Sequence, residues 1–212
     1  MVYAFIIQTL DAKECSIMYY RTFTCYNANS IFDGTPCSKS EVRNTVRDVS
    51  NVRSQKAFET SIEMKEFLQH IANKVHMQYT MKMKHSFVPI LDQGDCKDTF
   101  LKGIYMERKG KEDNVTQIPI VWQCTPGLGF VLVCNKSDNC VQAQNVLDVI
   151  VQQLEKHLQF VSNPPFALAL VEAIALVINQ YLPGGQLLFM NNKLMRQFEK
   201  QLETDLFSKR QF

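Results

Sequence analysis

Nowhere in these 212 residues is there an apolar run long enough to cross a bilayer. The greasiest stretch, 164–178, is interrupted by Glu172 and followed by Asn179 and Gln180, short of the roughly 20 apolar residues a membrane span needs. The opening residues 1–10 lack the basic n-region, extended apolar core and small-residue cleavage site of a secretory signal. A cytosolic chain is therefore expected, with any membrane association peripheral. An excess of one charge is missing too: 23 Lys and Arg stand against 21 Asp and Glu, a net +2. That is too balanced for nucleic-acid binding by bulk electrostatics. The seven cysteines (15, 25, 37, 96, 124, 134 and 140) are odd in number and form no CxxC pair or zinc-ligand spacing. Free, mostly buried thiols are expected. In a cytosolic chain the sequons Asn114-Val115-Thr116 and Asn135-Lys136-Ser137 are chance matches.

Catalytic motifs are equally scarce. There is no nucleophile elbow, no P-loop and no H-E-x-x-H. The glycine clusters, Gly127-Leu128-Gly129 and Pro183-Gly184-Gly185, lack the spacing that lets a backbone approach a pyrophosphate. They read as a hairpin turn and a helix stop. His70, His76, His85 and His157 are read as surface or half-buried structural side chains. No local signature joins a cysteine to a histidine. Neither a cofactor nor a metal site is expected.

What is present is a pattern of strands and helices. The hydrophobic share is 46% and the charged share 21%, ordinary for one folded domain. Residues 2–10 are apolar on both faces, as in a strand covered on both sides. Residues 15–25 alternate, with Ile17, Tyr19, Phe23 and Cys25 on one parity and Arg21 among them, predicting an antiparallel hairpin with the first strand. Residues 26–40 carry loop chemistry, and 41–57 read as either a weak helix or an insert. Met64, Leu68, Ile71, Val75 and Tyr79 then repeat at helical spacing. A second loop covers 82–97. Strands follow at 99–107, 118–124 and 129–134, with Thr125-Pro126-Gly127 turning the second into the third. Ser137 or Asp138 is the expected cap of a helix carrying Leu147, Ile150, Val151, Leu154, Leu158 and Val161. Asn163-Pro164-Pro165 opens a helix over 166–182, apolar around nearly its whole circumference and so in need of cover on more than one side. Residues 186–190 read as a short buried extension. Asn191 or Asn192 caps a last helix with Leu194, Phe198, Leu202 and Leu206.

Strands followed by helices, with no repeat and no low-complexity linker, predict a single α+β domain over 1–212, an antiparallel sheet with helices on its faces and inserts at 26–60 and 82–97. The cluster Lys39, Arg43, Arg47, Arg53 and Lys56 is diluted by Glu41, Asp48 and Glu59. A solvated face is the favoured reading; a weak contact of Arg43, Arg47 and Arg53 with anionic headgroups is the functional option.

Several segments resemble one family. Residues 1–10, the Leu128-Gly129-Phe130 strand, the Lys65-Glu66-Phe67-Leu68 helix and above all residues 181–192, with Pro183, Gly184, Gly185, Gln186, Leu187, Leu188 and Phe189, are similar to the sigma subunits of the fifth adaptor protein complex. Residues 26–60 and 82–97 match poorly. The resemblance implies a longin-like fold, a five-stranded antiparallel sheet between helices, with no catalytic residues. It further implies a place in a heterotetrameric vesicle-coat adaptor beside a large zeta adaptin and beta and mu chains. Spatacsin and spastizin would be associated partners, and late endosomes and lysosomes the site of action. The residues that would form a pocket for acidic dileucine cargo signals cannot be matched position by position, and the residues contacting the partners are left open. Other longin-type trafficking modules, such as a tethering-complex subunit, and a cytosolic thiol hydrolase remain the competing readings.

Overall fold

The first strand, β1 (Ala4–Thr9), is buried along nearly its whole length because it lies inside the sheet. In the computed structural model, which describes residues 1–10, 15–23, 49–85, 100–109, 116–161 and 163–209, it pairs antiparallel with β2 (Ile17–Thr22) on one side and β5 (Leu128–Val133) on the other. Strands β3 (Leu101–Lys109) and β4 (Thr116–Thr125) complete an antiparallel sheet of order β2-β1-β5-β4-β3. The β4–β5 hairpin turns at Pro126-Gly127, where Gly127 adopts φ 91°, a conformation glycine reaches without a Cβ clash.

Because side chains alternate across a strand, the sheet splits the core in two. Ala4 and Ile6 of β1, Ile120, Trp122 and Cys124 of β4, and Val131 and Val133 of β5 face the helix α1 (Val49–His85) through Leu68, Ile71, Val75 and Tyr79. Phe5, Ile7, Val121, Phe130 and Leu132 face the opposite layer. That layer contains α2 (Cys140–Leu158), α3 (Pro164–Ala169), α4 (Val171–Tyr181) and α5 (Asn192–Lys209). This is the α+β, longin-like architecture expected. Gln8 sits among the apolar residues fully buried, and its Nε2 donates to the Ala72 carbonyl of α1 at 3.0 Å, tying strand to helix.

Several local expectations are corrected. The register slips between Ile7 and Gln8, so that Tyr19 opposes Ile7 while Ile17 opposes Gln8. This bulge puts Ile17 on the α1 side and Tyr19 and Phe23 on the other, breaking the single face read from alternation. Arg21 is accommodated on the wetter edge: its guanidinium lies 5.7 Å from the Phe23 ring centroid, and Nη1 donates to the Ala175 carbonyl at 3.4 Å. Helix α1 begins at Val49 and ends at His85, so 49–57 takes the helical of its two readings, and 82–85 is helical where a loop was expected. Residues 26–48 and 86–97, like Cys25, fall outside the described residues.

The cap of α2 is Asn139, whose Oδ1 accepts from the Val141 and Gln142 amides at 2.9 and 3.2 Å. Asp138 is occupied elsewhere, by the N-terminal amine of Met1 and by the Asn135 amide at 2.8 Å. The single helix expected over 166–182 is broken at Leu170 into α3 and α4. Asn191 caps α5, its Oδ1 accepting from the Leu194 amide at 2.8 Å.

Candidate interaction site

Pro183-Gly184-Gly185 forms one 3₁₀ turn, and two of its residues have positive φ: Gly184 at 56° and Gly185 at 82°. The two glycines differ in their surroundings. A Cβ at Gly184 would meet nothing within 4 Å, whereas one at Gly185 would lie 2.7 Å from the Val2 carbonyl oxygen and 2.7 Å from the Phe23 Cβ. The Gly185 carbonyl accepts the Val2 amide at 2.7 Å. The turn therefore clasps the start of β1 and the end of β2, and glycine is required there by close approach as well as by φ. Gln186 closes the turn with its amide on the Pro183 carbonyl, and the Leu187 carbonyl accepts Gln142 Nε2 at 3.1 Å. Leu187 and Leu188 are half-buried. Phe189 is not core: it is 84% exposed. The expectation of a buried extension over 186–190 fails: Gln186 and Phe189 are exposed, and Leu187, Leu188 and Met190 are only half-buried.

The helices following α2 leave apolar surface open. On α4 one stripe, Ile174, Val177, Ile178 and Tyr181, is buried, and Tyr181 meets Phe198 of α5 edge-on at 5.6 Å. Val171 is 50% exposed. A cavity of about 310 Å³ opens among Leu158, Ala169, Leu170, Val171, Glu172, Ala173 and Leu206, where α3 and α4 part. The circumferential apolar character of 166–182 is thus only partly answered from within the chain.

No constellation suited to catalysis comes together among the described residues. Among the described residues no group of three or more His, Cys, Asp or Glu side chains is placed to hold a metal, and no helix is long and apolar enough to cross a membrane. Cys124 and Cys134 are fully buried, and burial pushes both thiols up, Cys134 to about 12. Half-buried Cys15 is raised for the same reason. A thiol held protonated is a poor nucleophile. Cys25, Cys37 and Cys96 lie outside the described residues. His70 is on the exposed side of α1, as expected, with Nε2 3.5 Å from Glu107 Oε1; Lys74 Nζ holds the other carboxylate oxygen at 2.8 Å. This cluster fastens α1 to β3.

Of the basic residues put forward for headgroup contact, Arg43 and Arg47 fall outside the described residues, and Arg53 lies in a part of α1 described by its backbone alone. The structure brings out a different basic face that sequence reading passed over. Lys193, Arg196 and Lys200 project from α5 with Asn192 and Gln197 into a recess of about 390 Å³. The signal was there to read: the three bases recur at three and four residues, on the side of the helix away from Leu194, Phe198, Leu202 and Leu206.

Comparison with known proteins agrees with this architecture. A family model described as AP-5 complex subunit sigma-1 matches residues 1–203. The human AP-5 complex subunit sigma-1 is 30% identical over 82 residues, covering 39% of this chain and 41% of the human protein. The aligned stretch thus spans less than half the length of that relative.

Proposed function

The chain belongs to the AP-5 complex sigma-1 family, and from that premise we propose that it is a non-catalytic small subunit of a heterotetrameric adaptor acting in endosomal and lysosomal vesicle transport. Its neighbours in that assembly are a large zeta adaptin and beta and mu chains, with spatacsin and spastizin as associated proteins. It reaches late endosomes and lysosomes from the cytosol as a peripheral component. One observation carries the subunit reading: the apolar surface left open where α3 and α4 part, with half-exposed Val171 at its rim. A partner segment that covered this opening would take its apolar lining out of water. Among the described thiols, the burial that keeps Cys124 and Cys134 protonated favours the subunit reading over a thiol hydrolase.

The test is affinity capture of the tagged full chain from cells, with quantitative mass spectrometry. Stoichiometric recovery of a large adaptin is expected. Recovery of a tethering complex in its place would transfer the chain to another longin-type module.

Arg43, Arg47 and Arg53 are assigned at most an auxiliary headgroup contact. Each exposed base contributes on the order of 1 kcal/mol near an anionic leaflet, less under physiological screening. Membrane recruitment is accordingly a property of the assembled complex, which pools several weak contacts. Arg43→Glu, Arg47→Glu and Arg53→Glu together should leave assembly and organelle localisation in place. Loss of localisation with assembly intact would make this stretch a primary anchor.

A further inference from the structure

Helix α1 runs on past its core contacts. The last of its described residues in the core is Tyr79, and 81–84 are exposed on every side of the turn. A turn with water all round is expected to carry polar side chains. Met81 and Met83 stand there instead, 54% and 49% exposed, with Met77, 57% exposed, one turn back. Met77, Met81 and Lys84 recur at four and three residues and so form one outward stripe. Lys82 turns inward, over the Trp122 ring and onto the Lys102 carbonyl. The charge of this stretch has one sign: from Phe67 to Leu91 the sequence holds Lys74, Lys82 and Lys84 and no Asp or Glu. Glu107, which reaches α1 from β3, is held by Lys74 and His70. Glu63 and Glu66 are also exposed on α1. Glu66, the nearer, lies roughly 16 Å before Met77 along the axis, about twice the Debye length at physiological salt.

We propose that the C-terminal tip of α1 is a contact with an anionic membrane surface, Met77, Met81 and Met83 entering the boundary between headgroups and acyl chains while Lys84 stays at headgroup level. A turn exposed all round is a projection, and its apolar ends leave water only by entering something that yields to them. A fluid bilayer does so without a preshaped groove, and methionine, unbranched and flexible, adapts to such a surface. Lysine lays its alkyl stem along the apolar layer while the ammonium meets lipid phosphate. The sign of the charge selects an anionic leaflet over a neutral one. Each lysine close to it adds attraction, whereas Glu107 is already paired and Glu63 and Glu66 lie beyond the range of screening. The contact is weak alone and is of the kind that an assembled complex can pool. It stands on the side chains of α1 and does not rest on the adaptor reading.

The test is co-sedimentation of the full chain with vesicles of phosphatidylcholine containing phosphatidylserine, and with vesicles of phosphatidylcholine alone. The chain should bind the first, less so as salt rises, and the second at least about fivefold more weakly. Met77→Gln/Met81→Gln/Met83→Gln and, separately, Lys84→Glu should each weaken binding to the anionic vesicles at least about fivefold. Lys136→Glu, a matched reversal at the exposed turn between β5 and α2, should stay within about twofold of the parent. All these substitutions change exposed side chains, and circular dichroism checks that each variant folds. No binding of the anionic vesicles by the parent would overturn the proposal. So would equal loss in the Lys136→Glu control, which would reduce the attraction to net charge. Full vesicle binding by the methionine variant would overturn it too, leaving the headgroups as the only contact. If that variant also lost its cellular partners, the tip would be a protein interface in place of a membrane one.

Discussion

Gly103 of β3 and Trp122 of β4 are cross-strand partners, and the indole fills the space that a side chain at 103 would need. A Cβ there would come within 2.4 Å of Trp122 Cζ2. Lys82 of α1 lies over the same ring at 4.8 Å from its centroid, so the glycine lets one aromatic ring join edge strand, inner strand and helix. Gly103→Ala should therefore cost about 1–3 kcal/mol by overpacking. Trp122 is the only tryptophan in the chain and is buried, so denaturant unfolding followed by its fluorescence reads the site directly. An unchanged midpoint would mean that the indole can leave the glycine at no cost.

The two glycines of the 3₁₀ turn separate backbone strain from contact. Gly184→Ala should cost about 1–2 kcal/mol, the penalty of placing a Cβ in left-handed backbone with open space around it. Gly185→Ala adds a collision with Val2 and Phe23 and should cost roughly 1–3 kcal/mol more. Thermal melts of the two variants would order them. Equal destabilisation would show that the N-terminal strand yields freely to the turn.

Leu187 and Phe189 should respond differently to the same substitution. Leu187 is half-buried against the α2-side core, so Leu187→Asp should lower stability by at least about 1 kcal/mol through desolvation of a carboxylate. Phe189→Asp should stay within about 0.5 kcal/mol of the parent, as surface changes do. Chemical denaturation of both variants checks this, and a collapse of Phe189→Asp would place that ring in the core after all.

Alkaline pH should destabilise the fold through its thiols. Burial raises Cys134 to about 12 from an ordinary 9.0, and it raises Cys124 as well. Above pH 9.0 the unfolded chain releases these protons while the folded chain retains them, so the folded state binds more protons and stability falls as pH rises. The contribution is complete below pH 9.0 and is lost between there and about 12. Tyr181, raised to about 12 by burial, acts with the same sign from its own ordinary value of 10.0. Denaturation midpoints measured from pH 7 to 11 should decline above 9. Maleimide should label Cys124 and Cys134 only after denaturant is added.

The order of strands and helices was legible in the sequence because alternation and three-to-four spacing are local consequences of burying one face. The stripe from Leu147 to Leu158 carries that information within a few residues, and the apolar run of β1, with Phe5 and Ile7 on one face and Ala4 and Ile6 on the other, marks a strand covered on both. The resemblance at 181–192 was legible as well, although its physical reason was not: Gly185 is needed because Val2 and Phe23, far away in the chain, press against it. Other outcomes depended on tertiary packing. The bulge at Ile7/Gln8 reassigned Ile17, since register is a property of two strands together. The exposure of Phe189 was not legible, because hydrophobic character alone does not say whether a neighbour exists to bury a side chain. Residue spacing set the faces of each element. Which of those faces were left open to a partner was decided only when the elements met.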